Sequence, residues 1–235
     1  MKVVFVHGAL VFDGAWWWHR MVGPLAALGL DTRAVELPSC VAPPVPPAGA
    51  LGDMRADADA VRAALEEEDG PVVLVGHSYG GMVITDAAAG RENVEHLVYV
   101  TSVMPDSGET MAGFDGEPGP WMDPDPDRGT IGIKAELVPA AFMQDCDGET
   151  VSGALERLTR QPLAVFGQAP RGVAWREKPS TYVVCAEDRA TAPEAQRAFA
   201  RRADRVIEVP TGHHPMLSKP EVLARAISEV AATGG

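Results

Sequence analysis

The chain has 235 residues, 46% of them hydrophobic and 23% charged, enough for one good-sized core and one domain with an insertion. A formal net charge of −13 tells against nucleic acid and anionic membrane surfaces as partners, and no apolar run of membrane-spanning length is present. Cys40, Cys146 and Cys185 are odd in number, far apart and without metal-ligand spacing, so reduced thiols are expected.

Met1-Lys2-Val3-Val4-Phe5-Val6 enters a strand-like run with no signal-peptide pattern, and a cytoplasmic protein is expected. Strands are predicted at Lys2–Val6, Thr32–Leu37, Val72–Val75, Val94–Thr101, Thr181–Ala186 and Val206–Val209. Most are continuous Val/Leu/Ile runs, as a parallel sheet covered on both faces requires. Helical patterns fall between them, at Trp16–Leu28, Leu51–Glu68, Met82–Ala89, Pro193–Ala203 and Pro220–Ala231. The second ends in Glu66-Glu67-Glu68-Asp69, which opposes the helix dipole and predicts a frayed end. The alternation describes an open α/β sheet. It breaks between Met104 and Arg176, where Pro105–Thr130 is dense in Pro, Gly and Asp and two amphipathic stretches follow, Ile133–Met143 and Val151–Leu158. Residues 105–175 are therefore expected to form a small helical cap over a core of residues 1–104 and 176–235, with the acidic Pro-rich part as its mobile piece.

Gly76-His77-Ser78-Tyr79-Gly80-Gly81 carries the chemistry. It follows the Val72–Val75 strand and precedes the Met82–Ala89 helix, the setting of a nucleophile elbow. The turn should hold Ser78 in a strained backbone conformation, and side chains at positions 76 and 80 should clash across it. The Gly-Lys-Ser/Thr ending of a P-loop is missing, as is the Gly-x-Gly-x-x-Gly of a dinucleotide site. A serine nucleophile needs a base and an acid to orient that base. Asp188 follows the Thr181–Ala186 strand, and His213 follows the last strand in Gly212-His213-His214-Pro215. Their order, Ser78, Asp188, His213, is nucleophile, acid, base, each at the end of its own strand. His214 stands as an alternative base, and Glu187 and Asp106 as alternative acids. Adjacent histidines could also ligate a metal, but no Glu or Cys has matching spacing, and none is expected. His77 should pack beside the elbow, while His19 and His96 read as ordinary surface or helix-end residues.

Acyl transfer also needs donors for the developing oxyanion. The expected pair is the N–H of Tyr79 and that of Ala9, in the loop Val6-His7-Gly8-Ala9 after the first strand. His7 should brace that loop. Leu10, Phe12, Trp16, Trp121, Phe142 and Met216 are the candidate pocket residues.

These segments together resemble the α/β-hydrolase superfamily over nearly the whole chain, most of all the small bacterial esterases related to plant methylesterases and hydroxynitrile lyases. The resemblance implies an α/β-hydrolase fold with about six mostly parallel strands and helices on both faces, because the first strand matches the third of the full superfamily fold. It further implies a Ser78–His213–Asp188 triad, an oxyanion hole at Ala9 and Tyr79, and no cofactor. Lyases of that group carry a lysine just after the histidine and a hydroxyl near the oxyanion loop; here those places hold His214 and Leu10-Val11. The expected function is hydrolysis of a small-to-medium apolar carboxylic ester, lactone or thioester through an acyl-Ser78 intermediate. A lyase or biosynthetic enzyme using the same triad, and a non-catalytic ligand-binding member, are the alternatives.

Overall fold

The computed structural model describes residues 1–114 and 119–232. Six parallel strands form its main sheet: β1 (Lys2–Val6), β2 (Asp31–Val35), β3 (Val72–His77), β4 (Val94–Val100), β8 (Ser180–Cys185) and β9 (Arg205–Val209). Their order is β2-β1-β3-β4-β8-β9, so the winding reverses beside β1. Ligands in such sheets bind outside the carboxyl ends of the strands, near that reversal.

Alternation along each strand feeds two cores. Val3 and Phe5 of β1 with Val73 and Val75 of β3 pack on one face against α1 (Gly14–Ala26) and α9 (Pro220–Ala231). Val4, Val6 and Leu74 face the other way, toward α2 (Met54–Glu66), α3 (Gly80–Ala87) and α7 (Pro193–Ala200). All six residues of β3 are buried, which is why its sequence reads as a near-continuous apolar run. Each fully buried Val or Leu contributes about 1.5–3 kcal/mol, so the central strands dominate the stability of the sheet.

Local chemistry sets the helix ends. Asp13 and Asp53 cap α1 and α2, their carboxylates accepting from Trp16 N at 3.1 Å and Ala56 N at 2.9 Å. The acidic end of α2 differs from the expectation. The helix stops at Glu66, and the next two carboxylates are taken up by the sheet: Glu67 pairs with Arg33 at 2.7 Å, and Glu68 pairs with Lys2 at 2.7 Å and Arg33 at 3.1 Å. Cations from β1 and β2 thus compensate for the unfavourable dipole.

The stretch between β4 and β8 holds α4 (Met111–Phe114), β5 (Met122–Asp125), β6 (Thr130–Ile133), α5 (Val138–Phe142), α6 (Gly148–Leu155) and β7 (Gln161–Pro162). The last two amphipathic stretches contain helices, as expected, but β5, β6 and β7 form a small antiparallel sheet that a helical cap left out. Part of the acidic Pro-rich stretch is therefore ordered strand: Asp123, opposite Gly132, is held by Arg160 at 2.6 Å. Residues 115–118 of that stretch lie outside the described residues. No helix among the described residues is long and apolar enough to cross a membrane.

Short α8 (Pro215–Ser218) follows β9 and packs against α1 and α9. The loops after β1, β3, β8 and β9 all leave the same edge of the sheet.

Candidate active site

Parallel register assembles the site. Val6 lies opposite Gly76 across β1 and β3, so the loop after β1 runs beside the turn that carries Ser78. Cys185 lies opposite Val209 across β8 and β9, which brings the two following loops together. Asp188 and His213 sit on those loops.

Ser78 has φ of +53°, in the left-handed region where side chains are strained, as its elbow position demands. The flanking glycines allow the bend. A Cβ on Gly76 would lie 2.7 Å from the Gly80 carbonyl oxygen, and one on Gly80 would lie 2.7 Å from the Val6 carbonyl oxygen. Ser102 Oγ donates to the Ser78 carbonyl at 2.5 Å. α3 then begins at Gly80, with Tyr79 as its N-cap. Neither the Tyr79 N–H nor the Ala9 N–H is among the backbone donors engaged by the described residues.

His213 Nδ1 donates to Asp188 Oδ2 at 2.8 Å, and both residues are buried. The bond leaves the far ring nitrogen as the acceptor in the neutral imidazole, the form a base needs. Four more donors saturate the carboxylate. Thr101 Oγ1 donates to Oδ2 at 2.5 Å and Gln196 Nε2 at 3.1 Å, while the N–H groups of Ala190 and Thr191 reach Oδ1 at 2.8 and 3.0 Å. Burial pushes this carboxyl up, but the neighbouring His213 and the hydrogen bonds outweigh it and hold Asp188 below its ordinary value. Thr101 and Gln196 escaped the sequence reading. Thr101 closes β4 at the same sheet edge, so the strand-end argument that found Asp188 could have found it too.

The alternative candidates are otherwise engaged, although His214 lines the same cavity as Ser78 and His213. His214 Nδ1 donates to the Phe142 carbonyl at 3.1 Å, and burial, with His213 adding like charge, pushes its imidazole down to about 3. Glu187 is exposed. Asp106 pairs with Arg176 at 2.5 Å. His77 does pack beside the elbow, donating from Nε2 to the His213 carbonyl at 2.8 Å, and burial holds it well below its ordinary value. His7 Nδ1 donates to the Gly8 carbonyl at 2.8 Å, within the loop it was expected to brace. His19 is exposed, and His96 pairs with Thr181 at 2.9 Å. No group of three or more His, Cys, Asp or Glu side chains suited to a metal occurs among the described residues.

These buried imidazoles have a measurable consequence. His7, His77 and His214 are each pushed down by burial, so the unfolded chain binds protons that the folded one refuses. Their stability is fully present above the unfolded value near 6.5 and is lost as pH falls toward the folded values. His214 alone should remove about 2–3 kcal/mol between pH 7 and 4.5. Urea unfolding at those two pH values checks this, and His214→Gln should shrink the difference by about that amount while His7 and His77 keep the rest; an unchanged difference in that variant would count against it.

Ser78, His213, Ala9 and Leu10 line one cavity of about 100 Å³. Trp121, Phe142 and Met216 also line it, together with Met111, Met122, Ile133, Val138, Leu158 and Phe166. Phe12 and Trp16 do not. Phe12 precedes α1 and spends its carbonyl on Trp17 Nε1 at 3.0 Å, while Trp16 lies under Arg157, 4.6 Å from its guanidinium carbon. Successive helix residues are about 100° apart, so only one of the three tryptophans can face the cavity, and it is Trp17. Trp18 stacks on Phe5 at 4.1 Å in the core.

Known proteins share this family and fold. Residues 3–226 match the model of the alpha/beta hydrolase family. A pyrethroid hydrolase from Sphingobium faniae JZ-2 superposes with a TM-score of 0.86 at 26% identity, over 99% of this chain and 97% of that one. Methylesterase 7 of Arabidopsis thaliana is 28% identical, over 98% of this chain and 96% of its own. Norfluorocurarine synthase 2 of a Strychnos species is also 28% identical, over 97% and 94%.

Proposed function

We propose, from the premise that this chain belongs to the alpha/beta hydrolase family, that it hydrolyses a small apolar carboxylic ester through an acyl-Ser78 intermediate. The observation that carries the reading is the hydrogen bond from His213 Nδ1 to buried Asp188, with His213 and Ser78 lining one apolar cavity. In the proposed reaction His213 takes the Ser78 proton as Oγ bonds to the ester carbon. The carbonyl electron pair moves onto oxygen, where the N–H groups of Ala9 and Tyr79 hold it. Collapse expels the alcohol, which receives the proton from His213. Water then repeats the sequence on the acyl-enzyme and releases the acid. Asp188 stabilises the imidazolium in both halves.

The cavity supports the choice of substrate. Its protein walls offer apolar side chains around Ser78 and four imidazoles. A cavity of roughly 150 Å³ accepts benzene, so the space of about 100 Å³ favours an acyl arm of a few carbons there, while a second cavity of about 320 Å³ that Ser78 also lines has room for the alcohol. Residues 105–175 serve as the cap that selects it: Met111, Trp121, Ile133, Val138 and Phe142 all come from that stretch. The pyrethroid hydrolase and the methylesterase, a hydrolase and an esterase by name, point the same way.

A synthase among the relatives favours a second use of the same residues, in which no acyl-enzyme forms. The experiment separates the two. A panel of p-nitrophenyl esters from acetate to decanoate should be hydrolysed best at the short end. Acid quenching of a slow ester should leave one acyl group on Ser78, read by intact-protein and peptide mass. Turnover with no acyl-enzyme under any condition would favour the non-hydrolytic use.

A further inference from the structure

Asp57 is a fully buried carboxylate in the first turn of α2, and no ion pair to it occurs among the described residues. Burial of such a group is costly unless donors surround it. Three do. The Ser39 N–H reaches Oδ1 at 2.8 Å, and the Ser39 hydroxyl and the Tyr79 ring hydroxyl reach Oδ2 at 2.5 and 2.6 Å. The chain of bonds continues beyond Ser39. Gln161 Nε2 donates to Ser39 Oγ at 2.7 Å, and Gln161 Oε1 accepts from the Leu10 N–H at 3.1 Å.

The two ends of this chain are informative. One is Tyr79, the residue after Ser78, fixed through the far end of its side chain while its N–H meets no acceptor among the described residues. The other is Leu10, the residue after Ala9, held at φ of +64°, where a non-glycine residue is strained. The Thr159 N–H donating to the Leu10 carbonyl at 2.9 Å adds to that hold. A strained loop persists only when its surroundings over-determine it, and the Gln161 bond is part of that determination.

We infer that Asp57, Ser39 and Gln161 are positioning residues that set the Tyr79 and Ala9 N–H groups at a fixed separation for the oxyanion; the inference rests on the esterase reading above. The reacting carbonyl oxygen gains full negative charge only in the tetrahedral state, so donors fixed in advance act mainly there. The network meets the cavity lining at Leu10, at Ser78 next to Tyr79 and at Phe166, whose ring lies 6.3 Å from that of Tyr79, but Asp57, Ser39, Gln161 and Tyr79 do not line the cavity themselves, so ground-state binding should change little.

Tyr79→Phe and Gln161→Met keep side-chain shape while cutting the network at either end. Each is expected to lower kcat for a p-nitrophenyl ester about 10- to 100-fold, with KM within about threefold of wild type. An alkyl trifluoromethyl ketone gives the second readout. Ser78 Oγ adds to its carbonyl carbon, the proton passes to His213, and the oxyanion formed sits on the same two N–H groups. Its inhibition constant should rise by the same factor as kcat/KM falls, whereas that of an unreactive alkyl alcohol should not move. A loss in stability alone would not produce that pairing. Should Gln161→Met fail to fold, Tyr79→Phe decides alone. The inference is overturned if kcat stays within about twofold of wild type, or if the loss lies in KM with ketone affinity unchanged. Failure of the esterase reading looks different: wild type would form no ketone adduct and Ser78→Ala would retain turnover, and the network would lose its role with it.

Discussion

Ser78→Ala should reduce ester turnover by about 10⁴- to 10⁶-fold while leaving a folded protein. The argument is geometric. Ser78 carries its hydroxyl on the strained turn and lines the same cavity as His213, and alanine removes only the attacking oxygen. Alanine keeps the backbone demand at φ of +53°, so the unfolding midpoint should move little. His213→Ala should cost a similar factor, and the double variant should cost no more than either single one, because residues that act as a unit are not additive. Asp188→Asn should cost about 10³- to 10⁴-fold, since an amide can donate to His213 Nδ1 and favour the wrong tautomer. The check is steady-state turnover of a short p-nitrophenyl ester together with mass labelling by a fluorophosphonate. Turnover in Ser78→Ala within tenfold of wild type would falsify the serine mechanism.

Gly81→Ala should destabilise the protein more than any other single-methyl change in the elbow. A Cβ there would sit 2.0 Å from Ser102 Oγ and 2.1 Å from the Val103 carbonyl oxygen. The second contact is backbone, so no rotamer change relieves it. Overpacking of this kind costs about 1–3 kcal/mol or more, and displacing Ser102 also strips the donor from the Ser78 carbonyl. Loss of activity should accompany loss of stability. Gly148→Ala is the control. It is the exposed first residue of α6, with nothing beyond its chain neighbours within 4 Å of the added atom, and should stabilise by about 0.4–1 kcal/mol. Urea unfolding of the pair measures both signs; equal midpoints would remove the steric account of the elbow.

Legibility in the sequence followed the physics of each element. The parallel strands were readable because both their faces are buried, which forces continuous apolar runs such as Val72–Val75. Ser78, Asp188 and His213 were readable because each follows its own strand, and the sheet brings strand ends together whatever their separation along the chain. The small sheet was not readable. Met122-Asp123-Pro124-Asp125 has turn composition, and its pairing depends on Arg160 and Gln161 from a distant segment. The pocket aromatics were half readable. Trp121 and Phe142 reach the cavity from the insertion, but the rotation of α1 decides among Trp16, Trp17 and Trp18, and a run of three identical residues carries no phase. The Asp57 network was hidden for a related reason. An acid among others in an amphipathic helix reads as solvated until the neighbouring turns are placed.

The strand-like contact between Val11 and Leu158, with Phe12 N–H on the Arg157 carbonyl and Thr159 N–H on the Leu10 carbonyl, stitches the insertion to the loop after β1. For protein engineering this makes the two inseparable parts. A cap exchanged between relatives at 105–175 would arrive without the matching partner for residues 10–12, and a loop redesigned for rate would meet the wrong segment from the cap. Residues 10–12 and 157–161 form one transplantable unit, and chimeras that cut between them would disturb selectivity and rate together.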